Sequence, residues 1–216
     1  MWLEPIATID LVLKGLLVGI VASAPMGPVG VLTVQRTLNK GRSFGFVTGL
    51  GAAVSDLFYA LVAGMGVSLV MDFMENPSNL FYLRIGGGVL LFAFGMFTFL
   101  SRPAPLRPSG KKRGTLMHNA LTGFLLTFSN PLIVLLFVAL FARFDFIRQG
   151  HHVEQLLGFL SILAGAVLWW FMLSGVVDKL RPRFRIETIR RINQALGVAV
   201  IVAALVGVYV ALNGLK

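Results

Sequence analysis

The chain has 216 residues, 56% of them hydrophobic and only 13% charged, and its mean hydropathy is +0.84. A water-soluble domain of this length needs a polar shell, so the composition excludes one and points to an all-α integral membrane protein with several spans. The net charge of +10 would suit a nucleic-acid surface, but the basic residues fall in three short stretches between apolar runs, a membrane-topology pattern that argues against a nucleic-acid partner.

At about 20 apolar residues per span, the chain divides into six, near residues 10–36, 43–71, 78–101, 115–143, 153–178 and 190–213. The first begins with a decoy. Residues 11–24 end in Ala22-Ser23-Ala24, which looks like the cleavage site of a secretory leader. Glu4 and Asp10 stand where a basic patch belongs, and Pro25 would follow the cut, so an uncleaved span is expected. That span is interrupted by Ala24-Pro25-Met26-Gly27-Pro28-Val29-Gly30. Pro25 and Pro28 lack the backbone N–H, and in a continuous helix their rings would clash with the carbonyls of Val21 and Ala24. Broken backbone at membrane depth survives only where protein or a water-lined cavity satisfies it. A polar cavity is therefore expected here.

Span two carries Asp56, the only carboxylate well inside a span. An acidic residue there costs about 2.5–3.5 kcal/mol on the insertion scale, and such residues mark solute or proton paths. Because burial disfavours the charged form of a carboxyl, Asp56 is a candidate proton carrier; the bland alternative is a helix tie through a serine. Span four is broken by Thr127-Phe128-Ser129-Asn130-Pro131, where Pro131 should free the carbonyl of Thr127 as Pro28 frees that of Ala24. Paired interruptions at corresponding places in two halves point to a transport site. With three spans each, residues 1–108 and 109–216 form one membrane domain of two inverted three-helix repeats, with broken first and fourth helices. A weaker correspondence lays Gly51-Ala-Ala-Val-Ser-Asp56 against Gly165-Ala-Val-Leu-Trp169, with Asp56 near Trp169.

The loops set the orientation. Arg36, Lys40 and Arg42 are read as one basic loop; Arg102, Arg107, Lys111, Lys112 and Arg113 as a second; Lys179, Arg181, Arg183, Arg185, Arg190 and Arg191 as a third. Together they hold 14 of the 19 basic residues, so these loops are cytoplasmic and both termini are not. They also suit contact with anionic membrane lipid. Glycine pairs such as Gly15 and Gly19, or Gly45 and Gly49, read as close helix packing, which permits a homodimer without requiring one.

The candidate substrate-binding or coupling residues are Pro25, Gly27, Pro28, Gly30, Asp56, Ser129, Asn130 and Pro131. Past each break a half-helix opens, with the amides of Val29, Gly30 and Val31 or of Leu132, Ile133 and Val134 facing a solute carboxylate. The freed carbonyls and Asp56 can receive an ammonium group. A site with both poles suits a zwitterion, although the same groups would also hold a metal cation. His151-His152 reads as a solvated loop, Trp169-Trp170 as packing, and His118 as the cytoplasmic end of span four. With no cysteine, thiolate chemistry is excluded. No phosphate loop, zinc-protease motif or nucleophile elbow is present, so neither an enzyme nor a cofactor is expected.

The residues resemble the LysE/RhtB amino-acid exporters. The likeness lies in Ala24-Pro-Met-Gly-Pro28, Gly41 with its basic neighbours, and Gly51-x-x-x-Ser-Asp-Leu-Phe-Tyr59. It continues in Thr127-Phe-Ser-Asn-Pro-Leu132 and Arg190-Arg-Ile-Asn-Gln-Ala-Leu-Gly197. Against the family's usual Pro-Gly-Pro one residue is inserted, and Leu132 stands where a lysine often follows Asn-Pro. The resemblance implies export of amino acids or related small solutes across a bacterial cytoplasmic (inner) membrane, driven by protons. The rivals are a metal-ion exporter of a related superfamily and a non-transporting membrane scaffold.

Overall fold

The architecture is that of a computed structural model, which describes residues 3–69, 77–102, 114–130, 132–147, 152–180 and 186–213. Pro131, the linker charges Arg107, Lys111, Lys112 and Arg113, and the loop residues Asp72, Glu75, Arg148, His151, Arg181, Arg183 and Arg185 lie outside them, as does Lys216. The described residues form eight helices. They are α1 (Leu3–Ser23), α2 (Pro28–Lys40), α3 (Arg42–Leu69), α4 (Pro77–Leu100), α5 (Leu116–Phe128), α6 (Leu132–Phe144), α7 (His152–Lys179) and α8 (Ile186–Asn213).

The prolines decide where the first apolar run breaks. α1 ends before Pro25, and Pro28 restarts the chain as the first residue of α2, with Gly27 as its N-cap. There a missing N–H leaves no partner unsatisfied. The two helices meet at 81°. α5 and α6 are related by a similar bend, 73°. α2 closes on Gly41, whose φ of 110° favours glycine, and Arg42 opens α3 directly after it.

By length and composition α3, α7 and α8 can each cross a bilayer, and counting each bent pair as one span raises the number to five. The apolar part of α4, Arg84–Leu100, is shorter. The chain is thus a multi-pass, all-helical membrane protein. Its outer faces agree, because large apolar side chains such as Phe97, Met117, Leu121, Val202 and Tyr209 stand exposed. In water they would form adhesive patches; in lipid they are solvated.

Small residues bring the helices together. A Cβ at Gly19 would collide with the carbonyl of Ile162, and one at Gly165 with that of Leu16, so α1 and α7 touch through their backbones. Gly51 lies on the carbonyl of Ala120, and Gly123 on that of Thr48, which joins α3 to α5 in the same way. Gly95 and Gly197 join α4 to α8. Without a hydrophobic drive between helices in lipid, such close approach supplies the dispersion contacts. Two apolar clusters result. One gathers Leu11, Val18, Phe137, Phe141 and Phe146; the other begins at Met26 and includes Val34, Trp170 and Val177. Met26, within the first break, belongs to the second cluster.

One sequence expectation is corrected. Arg36 is not a loop residue: it sits within α2 with only 7% of its surface exposed. Its Nη1 donates to Thr48 Oγ1 and to the Asn119 carbonyl, 2.9 Å each. The helix continues one turn past the end of the apolar run, because packing against α3 and α5 shelters polar residues that hydropathy places outside.

Candidate functional site

A cavity of about 430 Å³ lies where the two breaks face α3, with further walls from α4, α7 and α8. Pro25, Gly27, Pro28, Asp56, Ser129 and Asn130 all line it. A Cβ built on Gly27 meets nothing, because it would project into open space. Gly30 is not on the wall. It is buried, and a Cβ there would lie 2.9 Å from the Cβ of Met26, so its smallness lets the chain fold back on itself. Pro131 lies outside the described residues.

Among the described residues Asp56 is the one ionisable residue on this wall. It is 4% exposed, and Ser23 Oγ donates to its Oδ2 at 2.8 Å. The last residue of α1 is thereby tied to the middle of α3. A carboxylate accepts several hydrogen bonds, so one serine leaves capacity for a solute donor.

The backbone at the breaks is more fully engaged than proline chemistry alone implies. At the first, Gly27 N–H donates to the Pro25 carbonyl at 2.9 Å, and Val31 N–H makes the first bond of α2, to the Gly27 carbonyl at 3.1 Å. The half-helix therefore presents Val29 to the cavity, Gly30 is buried behind it, and the N–H of Val31 is taken. At the second, the Thr127 carbonyl accepts from Asn130 N–H at 3.0 Å, and the Phe128 carbonyl from Tyr59 Oη at 2.6 Å. The Asn130 carbonyl in turn accepts from Ile133 N–H at 3.3 Å, which starts α6.

Three functional groups escaped the sequence reading. Asn193 of α8 grips the first break. Its Oδ1 accepts from Met26 N–H at 2.9 Å, and its Nδ2 donates to the Met26 carbonyl at 3.3 Å and to Ser101 Oγ at 3.0 Å. This is how the backbone of Met26, between the two prolines, is satisfied. Trp170, and not Trp169, faces the cavity with Asp56. Its Nε1, with Thr98 Oγ1 and Thr127 Oγ1, is buried without a hydrogen-bond partner among the described residues. A lone polar residue in an apolar span was the available signal for Thr98; Asn193, between Arg190-Arg191 and Gln194, carried no such signal, and nothing in the pattern separated Trp170 from Trp169.

A pocket with one carboxylate, half-helix amides and several unpaired polar atoms can hold a small solute carrying both donors and acceptors. The family described as LysE type translocator matches residues 20–214, and the chain belongs to that family. Its members are transporters and not enzymes, and the chain is a membrane exporter of this kind. A Bacillus subtilis (strain 168) protein named "Putative amino acid efflux protein YcgF" is 25% identical over 211 residues, 96% of this chain and 98% of that protein. The Escherichia coli (strain K12) "Uncharacterized membrane protein YahN" is 26% identical over 145 residues, 66% of this chain and 64% of its own length. No solved structure matches the chain.

Proposed function

We propose that the protein exports amino acids or closely related small solutes across a bacterial cytoplasmic membrane in exchange for protons. The site is built from Pro25, Gly27, Pro28, Asp56, Ser129, Asn130 and Pro131, with Gly30 shaping the first break. The observation that carries this reading is the meeting of both breaks and Asp56 on one cavity. The N–H group of Val29, on the cavity wall at the positive end of α2, suits a carboxylate. Asp56 suits an ammonium group or a proton. A single carboxylate on the wall among the described residues is a poor cage for a divalent cation, which favours the organic solute over a metal ion.

Six spans in two inverted repeats, residues 1–108 and 109–216, belong to the same proposal. Helix pairing supports it: exchanging the halves turns the α1–α7 contact into α5–α3, and leaves α3–α7 and α4–α8 as self-pairs. Gly51 and Gly165, matched between the halves, each rest on a carbonyl of the other half's first helix, Ala120 and Leu16.

The test is an efflux screen of purified protein in proteoliposomes, with labelled amino acids under imposed pH gradients. Amino-acid efflux that follows the gradient is expected. Flux of divalent metal ions alone would replace this reading with a metal exporter, and no flux of either would leave a scaffold.

A further inference from the structure

Arg36 has no place in the central site, and its surroundings do not balance its charge. Both hydrogen bonds described for it leave from Nη1 and end on neutral oxygens, Thr48 Oγ1 of α3 and the Asn119 carbonyl of α5. Neither ion pair among the described residues involves it. Burying a cation against neutral acceptors is unfavourable unless an anion compensates it. Beside it is a second deficit of opposite kind. Asn119 is wholly buried, and its Nδ2 donates to the Thr115 carbonyl at 2.6 Å. Its Oδ1 has no partner among the described residues. Thr48 Oγ1 already donates to the Phe44 carbonyl at 2.8 Å and cannot supply that proton.

We infer that Arg36 and Asn119 form an entry site for the exported solute, with the guanidinium receiving its carboxylate and Asn119 Oδ1 its ammonium group. This rests on the export reading above and adds to it a second binding station. Arg36 lies eight residues beyond Pro28, about 12 Å along α2 at 1.5 Å per residue, towards the end that the charge pattern places in the cytoplasm. It pins together α2, α3 and α5, which include one half of each broken span. In the described state this seam is closed. A carboxylate reaching Arg36 must part α2 from α5. Arg36 then exchanges two bonds to neutral oxygens for a bidentate ion pair with a carboxylate, which is the stronger interaction. A solute that binds the parted seam better than the closed one shifts the protein towards it. The carboxylate is thus the group that opens the path to the central cavity.

The experiment compares L-amino acids with their carboxamides, which keep the ammonium group and lose the negative charge, for efflux from the cytoplasmic face of proteoliposomes. In the wild type the carboxamide KM should exceed the amino-acid KM by roughly ten- to a hundredfold, the range for a hydrogen bond to a charged group. Arg36→Gln should raise the amino-acid KM towards the carboxamide level, leaving only the preference that the central cavity supplies, and should not raise the carboxamide KM; Arg36→Lys should restore part of the preference. A purely structural pin would alter both solutes alike. If Arg36→Gln does not fold, Asn119→Ala carries the test, because the backbone carbonyl that holds Arg36 remains. That variant should weaken amino acids and spare the matching 2-hydroxy acids, which lack the ammonium group. An undiminished preference for amino acids in folded Arg36→Gln, or equal losses for amino and hydroxy acids in Asn119→Ala, overturns the entry site while export stands. A wild type that moves no amino acid overturns both.

Discussion

Asp56 faces two demands that pull apart. As a helix tie it needs only the hydrogen bond from Ser23, which an amide oxygen accepts equally well. As a coupling group it needs to ionise. Asp56→Asn separates these, since the amide is nearly the same size and, being neutral, is less unfavourable to bury than a carboxylate. The variant should fold with wild-type yield and lose gradient-driven efflux down to the level of empty liposomes. Exchange of unlabelled for labelled solute at equal pH separates the roles further: it survives if Asp56 only carries a proton, and fails if the ammonium group needs its negative charge. Normal pH-dependent flux in a folded Asp56→Asn protein would reduce Asp56 to a tie between α1 and α3.

Elements meet through glycine, and the fit is not uniform along the chain. At Gly51 an added side chain meets the carbonyl of Ala120, which belongs to the α5 backbone and cannot rotate away. At Gly86 nothing lies within 4 Å. Gly51→Val should therefore push α3 from α5 and destabilise the protein by about 1–3 kcal/mol, as overpacking does. It should also cut flux, because the α3–α5 seam borders the cavity. Gly86→Val should leave both unchanged. Thermal unfolding in detergent compares them directly. Equal melting temperatures for the two variants would mean that α3 and α5 are not held by this contact.

At the scale of the whole molecule, the basic residues predict an orientation in the membrane. Moving Arg36 from a loop into the packed interior removes one charge from the cytoplasmic count, and the other basic residues of the three stretches still outweigh the opposite side. The naturally cysteine-free chain makes the test clean. Single cysteines at Lys111 and Glu75 should react with an impermeant thiol reagent from opposite faces, Lys111 from the cytoplasmic one. Labelling of both from the same face would remove the six-span, inverted arrangement, and with it the matching of the two breaks.

Much of this protein is legible from hydropathy and proline alone. Apolar length placed most helices within a few residues of where they lie, as at 153–178 against His152–Lys179, although α1 begins at Leu3 and not near residue 10. Pro25 and Pro28 located the first break, because a missing N–H and a ring clash are local facts. Asp56 stood out because a carboxylate in an apolar run is rare for energetic reasons. These are properties of a residue and its near neighbours in the chain, and a sequence contains them. The partners of the broken backbone are different in kind. Asn193 is 167 positions from Met26, Trp170 differs from Trp169 only in which way its helix turns, and Arg36 is buried only because α3 and α5 close over it. Which side chain reaches a break is decided by the rotation and spacing of packed helices, and in lipid that depends on close contacts between glycines and distant carbonyls rather than on a hydrophobic face. Such contacts leave almost no trace in hydropathy, so only the tertiary structure could select them.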